Sequence, residues 1–351
     1  MKAVICTTYG PLDALRLEEI PMPTPEDNEV LVKVHASCIN FNNLAYISGK
    51  PRFARLMGVG LFRPKCKRPG DDIAGQVEEV GRNVKQFRPN DEVYGNLAWC
   101  GYGAFAEYVC VPEEAIALKP VNTTFEEAAA VVQAGIVALR ALRDTGQIKA
   151  GQNVLIYGAS GGIGSFAVQI AKSFGAEVTG VCSSRNIAMV HSLGADHVID
   201  YTKEDFARNR QRYDLILATA GYRSIFDYYR AISPNGRYVA TGGSMRGPKA
   251  MAQVLQAVVL GPWISRIGSR KLGVSHLGKV DQRDLLFMKK LVETGKVKPH
   301  IDRCYKLSEV AEALKYYETG HVQGKVAITV EHIEDVATAR IVVDAVAKSS
   351  T

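Results

Sequence analysis

Apolar and polar positions follow two different textures along this chain. Up to about residue 120 the apolar residues fall in short branched and aromatic runs closed by turn formers. Val30–Val34 is one such run. Gln76–Val80 stops at Gly81, Glu92–Tyr94 at Gly95 and Ala106–Val111 at Pro112. Runs of this kind predict strands, and together a β-rich module. From about residue 123 the period changes. Thr124, with Glu127 three residues on, is a capping-box pattern opening a helix. Strands over 153–157, 177–181, 197–199, 213–218 and 237–241 then alternate with helices over 163–174, 187–193 and 224–232. Gly175 and Gly194 each follow a helix, where glycine suits a left-handed cap. This alternation predicts βαβ units on a parallel sheet with right-handed crossovers. Beyond residue 296 a strand (303–307), a helix (308–319) and a strand (325–330) are expected to rejoin the first module.

The expected fold class is therefore α/β. A doubly wound parallel sheet occupies residues 123–295, a β-rich module is built from 1–122 and 296–330, and 331–351 form a tail without a motif. A length of 351 residues suits two such domains. The most apolar stretch, Met251–Ile264, is broken by Gly261–Pro262. It falls short of the roughly 20 residues a membrane span needs. The first residues, MKAVICTTYG, lack the apolar core of a signal peptide. The seven cysteines include no CxxC pair and are scattered, as expected of reduced thiols in a cytoplasmic protein.

The net charge of +7 suits an anionic ligand such as a dinucleotide, and equally a solvated basic surface. Six Arg and Lys between Arg52 and Arg68 are mixed with Leu, Met and Phe. Residues 50–69 read either as a surface loop or as a cover over a substrate entrance.

The strongest chemical signal is Asn153-Val-Leu-Ile-Tyr-Gly158-Ala159-Ser160-Gly161-Gly162-Ile163-Gly164, a strand that runs through glycines into a helix. Ala159-x-Gly161-x-x-Gly164 is the dinucleotide fingerprint with Ala at its first glycine. The turn needs small residues, Gly161 must let a pyrophosphate approach the backbone, and Gly164 must let helix and strand pack closely. The helix N-terminus then presents free N–H groups to the phosphates. The next strand ends in Ser183-Ser184-Arg185, with no Asp or Glu for a ribose 2′-hydroxyl. Two hydroxyls and a guanidinium suit a 2′-phosphate, so NADPH is the expected cofactor, with Tyr201 a further contact. Ser184 as a helix cap and Arg185 as a solvated side chain is the plainer alternative.

With these motifs, the opening Met1-Lys2-Ala3-Val4, the Gly70–Gly81 and Gly103–Val109 segments and Gly324-Lys325-Val326, the chain resembles the zinc-free quinone oxidoreductase branch of the medium-chain dehydrogenase/reductase superfamily. The resemblance spans about residues 1–330. It implies a GroES-like substrate domain, a Rossmann domain and an active site in the cleft between them. It also implies a homodimer paired through Rossmann-domain edges; separately, no nucleic-acid partner is expected. Zinc-dependent relatives carry Cys and His-Glu ligands at positions matched here by Asn40 and by Asp71-Asp72, and their four-cysteine lobe is missing. No metal is therefore expected, and the two aspartates are read as closing turns near the cleft.

The resemblance places Asn40 beside the nicotinamide, its amide donating to a carbonyl oxygen that gains charge. The family's Asn-Pro-x-Asp is Asn40-Phe41-Asn42-Asn43 here, which takes a charge away from position 43. Related enoyl-thioester reductases carry a tyrosine where this chain has Pro51, so that class is disfavoured. Tyr46 is a substitute proton donor or a packed aromatic. Gly242, Gly243 and Ser244 are expected to cradle the nicotinamide, and the Gly135 region to approach the cofactor. Phe41, Asn43, Tyr46, Leu56, Met57, Leu61 and Trp263 line an apolar pocket or form core. The implied activity is hydride transfer to quinones or activated carbonyls. The alternatives are reduction of 2-alkenals and other enones alone, or an NADPH-binding protein engaging nucleic acid or a membrane surface.

Overall fold

The computed structural model describes residues 1–50, 55, 60–219, 223–241, 248–275 and 278–332, without the side chains of 248–255, 257 and 267. Leu56, Met57, Gly242, Gly243, Ser244, much of the 50–69 loop and all of the tail beyond residue 332 lie outside the described residues.

The elements run β1 (Lys2–Ile5), β2 (Arg16–Glu19), β3 (Glu29–Ile39), α1 (Phe41–Ser48), β4 (Asp72–Val80), β5 (Glu92–Asn96), β6 (Tyr108–Pro112), β7 (Ile116–Leu118) and α2 (Phe125–Arg140). They continue with β8 (Asn153–Tyr157), α3 (Gly162–Ser173), β9 (Glu177–Cys182), α4 (Ile187–Ser192), β10 (His197–Asp200), β11 (Tyr213–Ala218), α5 (Ile225–Ala231), β12 (Ile232–Ala240) and α6 (Pro248–Ile267). The last are β13 (Lys271–Val274), α7 (Gln282–Glu293), β14 (Ile301–Lys306), α8 (Val310–Glu318) and β15 (Lys325–Thr329).

Strands β8 to β13 form a six-stranded sheet in the order β10-β9-β8-β11-β12-β13, and every pair in it is parallel. The chain winds outward from β8 in one direction, returns to β11 on its other side and winds outward again. That reversal makes a crevice beyond the C-terminal ends of β8 and β11, where such sheets bind ligands. The remaining main sheet has the order β14-β15-β3-β4-β5-β7, with β6 also paired to β3. The C-terminal β15 lies antiparallel to β3, which returns the end of the chain to its beginning.

Helix α2 is the wedge between the sheets. Thr124 and Glu127 cap it reciprocally. Its buried alanines and valines share one core with Ala36, Cys38, Ala74, Tyr94 and Ala327 of one sheet and Val154, Ile156 and Leu217 of the other. Small side chains let the helix approach both sheets, and fully excluded apolar area favours the arrangement by about 25 cal/mol per Å2. Gly135 on this helix faces Met288 and Phe166. It is buried there, packed against the tip of Met288.

Gly261–Pro262, which break the apolar stretch in the sequence, do not break the backbone. Both residues lie inside the single helix α6. A side chain at Gly261 would meet the Leu272 carbonyl at 3.0 Å, so glycine lets the helix lie close to edge strand β13. Ser265 bridges the two elements, donating to the Gly261 carbonyl and accepting from the Leu272 N–H. Among the described residues no helix is long and apolar enough to cross a membrane.

Candidate active site

The glycine turn is built as its residues require. Gly158 leaves β8 with φ +86°, a conformation that disfavours any side chain. The Gly158 and Ala159 N–H groups both donate to Val181 of β9, pinning the turn to the neighbouring strand. At Gly164 a Cβ would lie 2.0 Å from the Gly158 carbonyl oxygen, so only glycine lets α3 start this close to the strand. Gly161 differs. It is the N-cap of α3, with extended backbone and no side chain capping the helix. A Cβ there would meet only the Gly158 carbonyl, at 3.5 Å. The α3 N-terminus is thus open at Gly161 and carries no side-chain cap, while Gly162 lies against Lys325 and the Gly324 carbonyl; its first N–H groups are those an anion could take.

Ser160 and its neighbours link this turn to two other segments. Its hydroxyl accepts from the Asn186 amide at 2.8 Å, and its carbonyl accepts from the Gly324 N–H at 2.8 Å. Gln323 in turn donates to Asn186 at 2.7 Å. Arg185 donates to the His321 carbonyl at 3.0 Å. Residues 321–325 therefore lie across the glycine turn and the end of β9. Ser183, Ser184 and Arg185 stand together at that end, with Tyr201 half exposed after the third strand.

One residue there was missed from sequence. Asp200 ends β10, opposite Cys182, and takes the Ser184 hydroxyl as a hydrogen bond. Hydrogen bonds from Ser184 and Thr202 pull its carboxyl down to about 2. The only hint in the sequence was an acidic residue closing the third strand.

The second half of the site is set by strand register. Cys38 of β3 pairs with Asp72 of β4 and with Ala327 of β15, and Asp72 pairs with Asn96 of β5. Residues at these strand ends must meet: Asn40 two past Cys38, Asp71 before Asp72, and Lys325 at the start of β15. Asn40, Asn43, Asp71, Asp72, Asn96 and Lys325 are all buried. The Asn40 amide nitrogen donates to Asp71 at 3.0 Å and to Asp72 at 2.7 Å. Its oxygen accepts from the Lys325 ammonium at 2.5 Å. Asn43 donates to Asp71 at 2.9 Å, and Asn96 to Asp72 at 2.8 Å. The second oxygen of Asp71 is buried with no hydrogen-bond partner. Burial raises the pKa of both carboxyls, and Asp71 pushes Asp72 further up.

This network alters three expectations. Both Asn40 amide hydrogens are engaged by the carboxylates, so they do not point at a substrate carbonyl in this arrangement. The carboxylates bind side-chain amides and are not simple turn closers. Asn43 is amide because it must donate to Asp71, while its own oxygen accepts from the Asn40 N–H at 2.7 Å. An aspartate at 43 would set a third carboxylate against the pair. Asn43→Asp is therefore expected to destabilise the fold by about 2–4 kcal/mol, more at pH 8 than at pH 5. Urea unfolding at both pH values checks this.

Tyr46 is buried in α1, where its hydroxyl donates to the Cys66 carbonyl at 3.0 Å and accepts from the Cys66 N–H. Its ring tilts against Tyr102 at 4.7 Å. Both hydroxyl functions are spent on the backbone, which corrects the proton-donor reading in favour of packing. Phe41 opens α1 next to Asn40 and is partly buried. Trp263 is 65% exposed on α6, a helix packed on β13, so it does not wall an enclosed pocket.

A family model described as "Alcohol dehydrogenase GroES-like domain" matches residues 26–121, and one described as "Zinc-binding dehydrogenase" matches 193–328. The chain is 35% identical over 342 residues to the 2-methylene-furan-3-one reductase of Solanum lycopersicum, covering 93% of this chain and 79% of that protein. It is 33% identical to the chloroplast envelope quinone oxidoreductase homolog of Arabidopsis thaliana, covering 93% and 98%. The chain belongs to the medium-chain dehydrogenase/reductase superfamily, in its quinone oxidoreductase branch. The quinone oxidoreductase from Coxiella burnetii superposes with a TM-score of 0.79 at 29% identity, over 94% of this chain and 99% of that one.

In a medium-chain dehydrogenase the zinc named in one family description would sit at the Asn40, Asp71 and Asp72 positions. The donor set here does not fit it. Asn40 is neutral, its oxygen is held by the Lys325 ammonium, and three carboxylate oxygens accept from side-chain amides. Zinc sites need three or four N, S or O ligands turned inward, usually His or Cys. Among the described residues no three His, Cys, Asp or Glu form a group that could hold a metal ion.

Proposed function

We propose that this protein is an NADPH-dependent, zinc-independent oxidoreductase that delivers hydride to quinones and activated, conjugated carbonyls. The observation that carries the proposal is the pairing of two features at the sheet crevice. One is an uncapped α3 N-terminus behind a tight glycine turn. The other is an ammonium-centred amide and carboxylate cluster at the position where zinc-dependent relatives hold their metal. The names of the relatives support it: besides the two above, an NADPH-dependent alkenal/one oxidoreductase of Arabidopsis thaliana is 33% identical over 342 residues.

Gly162 and Ile163 would hold the pyrophosphate by backbone N–H groups, with Gly158, Ala159 and Gly161 shaping the turn and Ser160 fixing it. Ser183 and Arg185 would take the 2′-phosphate, and Tyr201 its adenosine end. Bound there, NADPH supplies hydride, that is, two electrons and one proton. Without a Lewis acid the protein can do little to polarise a carbonyl, so the acceptor must take hydride readily. Quinones and enones do, and one solvent proton completes the hydroquinone or the saturated carbonyl.

Asp200 beside Ser184 opposes a 2′-phosphate, which leaves Arg185 to supply the attraction. Arg185→Ala is expected to weaken NADPH binding about tenfold while NADH binding changes less than about twofold. Titration of cofactor fluorescence checks this; equal losses for both cofactors would remove Arg185 from the phosphate site.

Exposed Val258, Val259 and Trp263 on α6, next to edge strand β13, support the reading of a homodimer. Free cysteines throughout the described residues are consistent with a reducing compartment such as the cytoplasm.

The activity test follows NADPH and NADH oxidation with a chelator present. The acceptors are an ortho-quinone, a para-benzoquinone, a 2-alkenal and a simple ketone. Turnover of quinones or the alkenal that resists the chelator and prefers NADPH is expected. Measurable NADPH binding with no turnover of any acceptor overturns the reading.

A further inference from the structure

We propose that Lys325 is the positioning residue of this active site: it sets the orientation of the Asn40 amide and ties that amide to the cofactor-binding turn. Three contacts carry this. The ammonium donates to the Asn40 side-chain oxygen at 2.5 Å and to the Ile39 carbonyl at 3.2 Å, so it grips the end of β3 from both sides of one peptide. An amide whose oxygen is held by a cation must turn its nitrogen the other way, here on to Asp71 and Asp72. The stem of Lys325 lies against the glycine turn, where a Cβ at Gly162 would meet its Cδ at 3.2 Å. The preceding residue, Gly324, donates its N–H to Ser160 of the same turn.

Backbone geometry makes this placement stiff. Gly324 has φ +75°, and a Cβ there would lie 2.2 Å from the His300 carbonyl. The Lys325 N–H donates to that same carbonyl at 2.9 Å. Lys325 is thus held by β14 and β15, packed on the cofactor turn and bonded to Asn40 in one short segment. A shift of the glycine turn on cofactor binding would reach Asn40 through a single side chain.

Charge fits the same role. Asp71 and Asp72 face the ammonium from the start of β4, and the Cys38 thiol faces it from β3. One buried cation beside two carboxyls balances one ionised carboxylate and leaves room for one proton on the pair. The inference rests on the proposed hydride-transfer reading only where its test measures turnover.

Lys325→Met keeps the apolar stem and removes the ammonium. It is expected to lower kcat by roughly tenfold or more, since misplacement of about an ångström at a reacting centre costs up to a hundredfold. The KM for NADPH should change by less than about threefold, because the phosphate contacts remain. The acid limb of the kcat–pH profile should move to higher pH, as the carboxyls lose their cation.

The double variant Lys325→Met with Asp72→Asn restores charge balance but not the grip on Asn40. It should recover melting temperature without recovering kcat, and it carries the test if the single variant does not fold. A third readout is independent of turnover. In protein carrying isotope-labelled asparagine, the Asn40 side-chain amide protons should exchange with solvent slowly in the native chain and at least about tenfold faster in the double variant. A single variant with kcat within twofold and an unmoved acid limb overturns the proposal. So does a double variant whose kcat returns fully, which would reduce Lys325 to charge balance, or one whose Asn40 amide exchanges as slowly as in the native chain. If the native chain turns over no acceptor, the hydride-transfer reading fails and the amide exchange alone decides the role of Lys325.

Discussion

Gly161→Val should leave the protein folded and unable to hold NADPH. A valine fits the extended backbone of Gly161, and its Cβ would touch only one carbonyl, in ordinary van der Waals contact. The melting temperature should therefore stay within about 3 °C, the shift expected for less than about 1 kcal/mol in a chain of this size. The branched side chain would stand where the pyrophosphate must meet the α3 N–H groups, so NADPH binding should weaken by about a hundredfold or more. The control is Gly164→Ala. Its added carbon lies 2.0 Å from a backbone oxygen, and neither strand nor helix can yield. That variant should lose about 2–4 kcal/mol of stability, as overpacking against rigid backbone does. Calorimetry with a fluorescence titration of NADPH separates the two. Tight NADPH binding by Gly161→Val would place the phosphates elsewhere.

Asn40→Ala should have the largest effect of any change at the substrate side. It removes two hydrogen bonds from buried carboxylates and the acceptor of a buried ammonium. Leaving buried charged groups unsatisfied costs about 3–5 kcal/mol. The pH dependence follows from the raised carboxyl pKa values. A carboxyl whose folded pKa lies above its unfolded value of about 4 binds more protons when folded. Its contribution to stability is retained at low pH and lost as pH rises through the folded pKa. Losing the amide donors raises the folded values further. The destabilisation by Asn40→Ala should therefore be larger at pH 8 than at pH 5, and Asp72→Asn in the same chain should remove most of the difference. Urea midpoints at the two pH values measure this. A penalty equal at both pH values would mean that the carboxylates do not depend on Asn40. On the proposed reading, which sets this cluster beside the nicotinamide, kcat of the same variant should fall at least about tenfold.

Much of this molecule was legible from local pattern. The strands over 153–157 and 213–218 fall where alternation predicted them, and the Thr124–Glu127 box caps α2. Glycine spacing identified the turn at 158–164 because a left-handed residue, an open N-cap and a close helix packing leave few residue choices. The β12 start was misplaced, since Ile232 through Gly236 lack the apolar run of a buried strand and join β11 through an irregular register. Helix α6 was not read as a helix: its sequence was seen only as an apolar stretch broken by Gly261–Pro262, residues that normally end helices. Only the nearness of β13 shows why glycine is required and how Ser265 serves the Gly261 carbonyl.

The site divides along the same line. Sequence alone determined a parallel α/β domain with a dinucleotide turn, Asn40 in place of a cysteine ligand, and the family to which those motifs point. The domain and its turn follow from residues a few positions apart, where spacing and backbone preference act directly; the place of Asn40 is what the resemblance implied. The tertiary structure decided what the aspartates and Lys325 do. Lys325 lies 285 residues from Asn40, and Asp200 lies 16 from Ser184, in each case on another strand. Their meeting depends on the register of β15 on β3, β3 on β4 and β10 on β9. Register is set by burial across whole sheets, and a slip of one residue would turn each of these side chains to the opposite face.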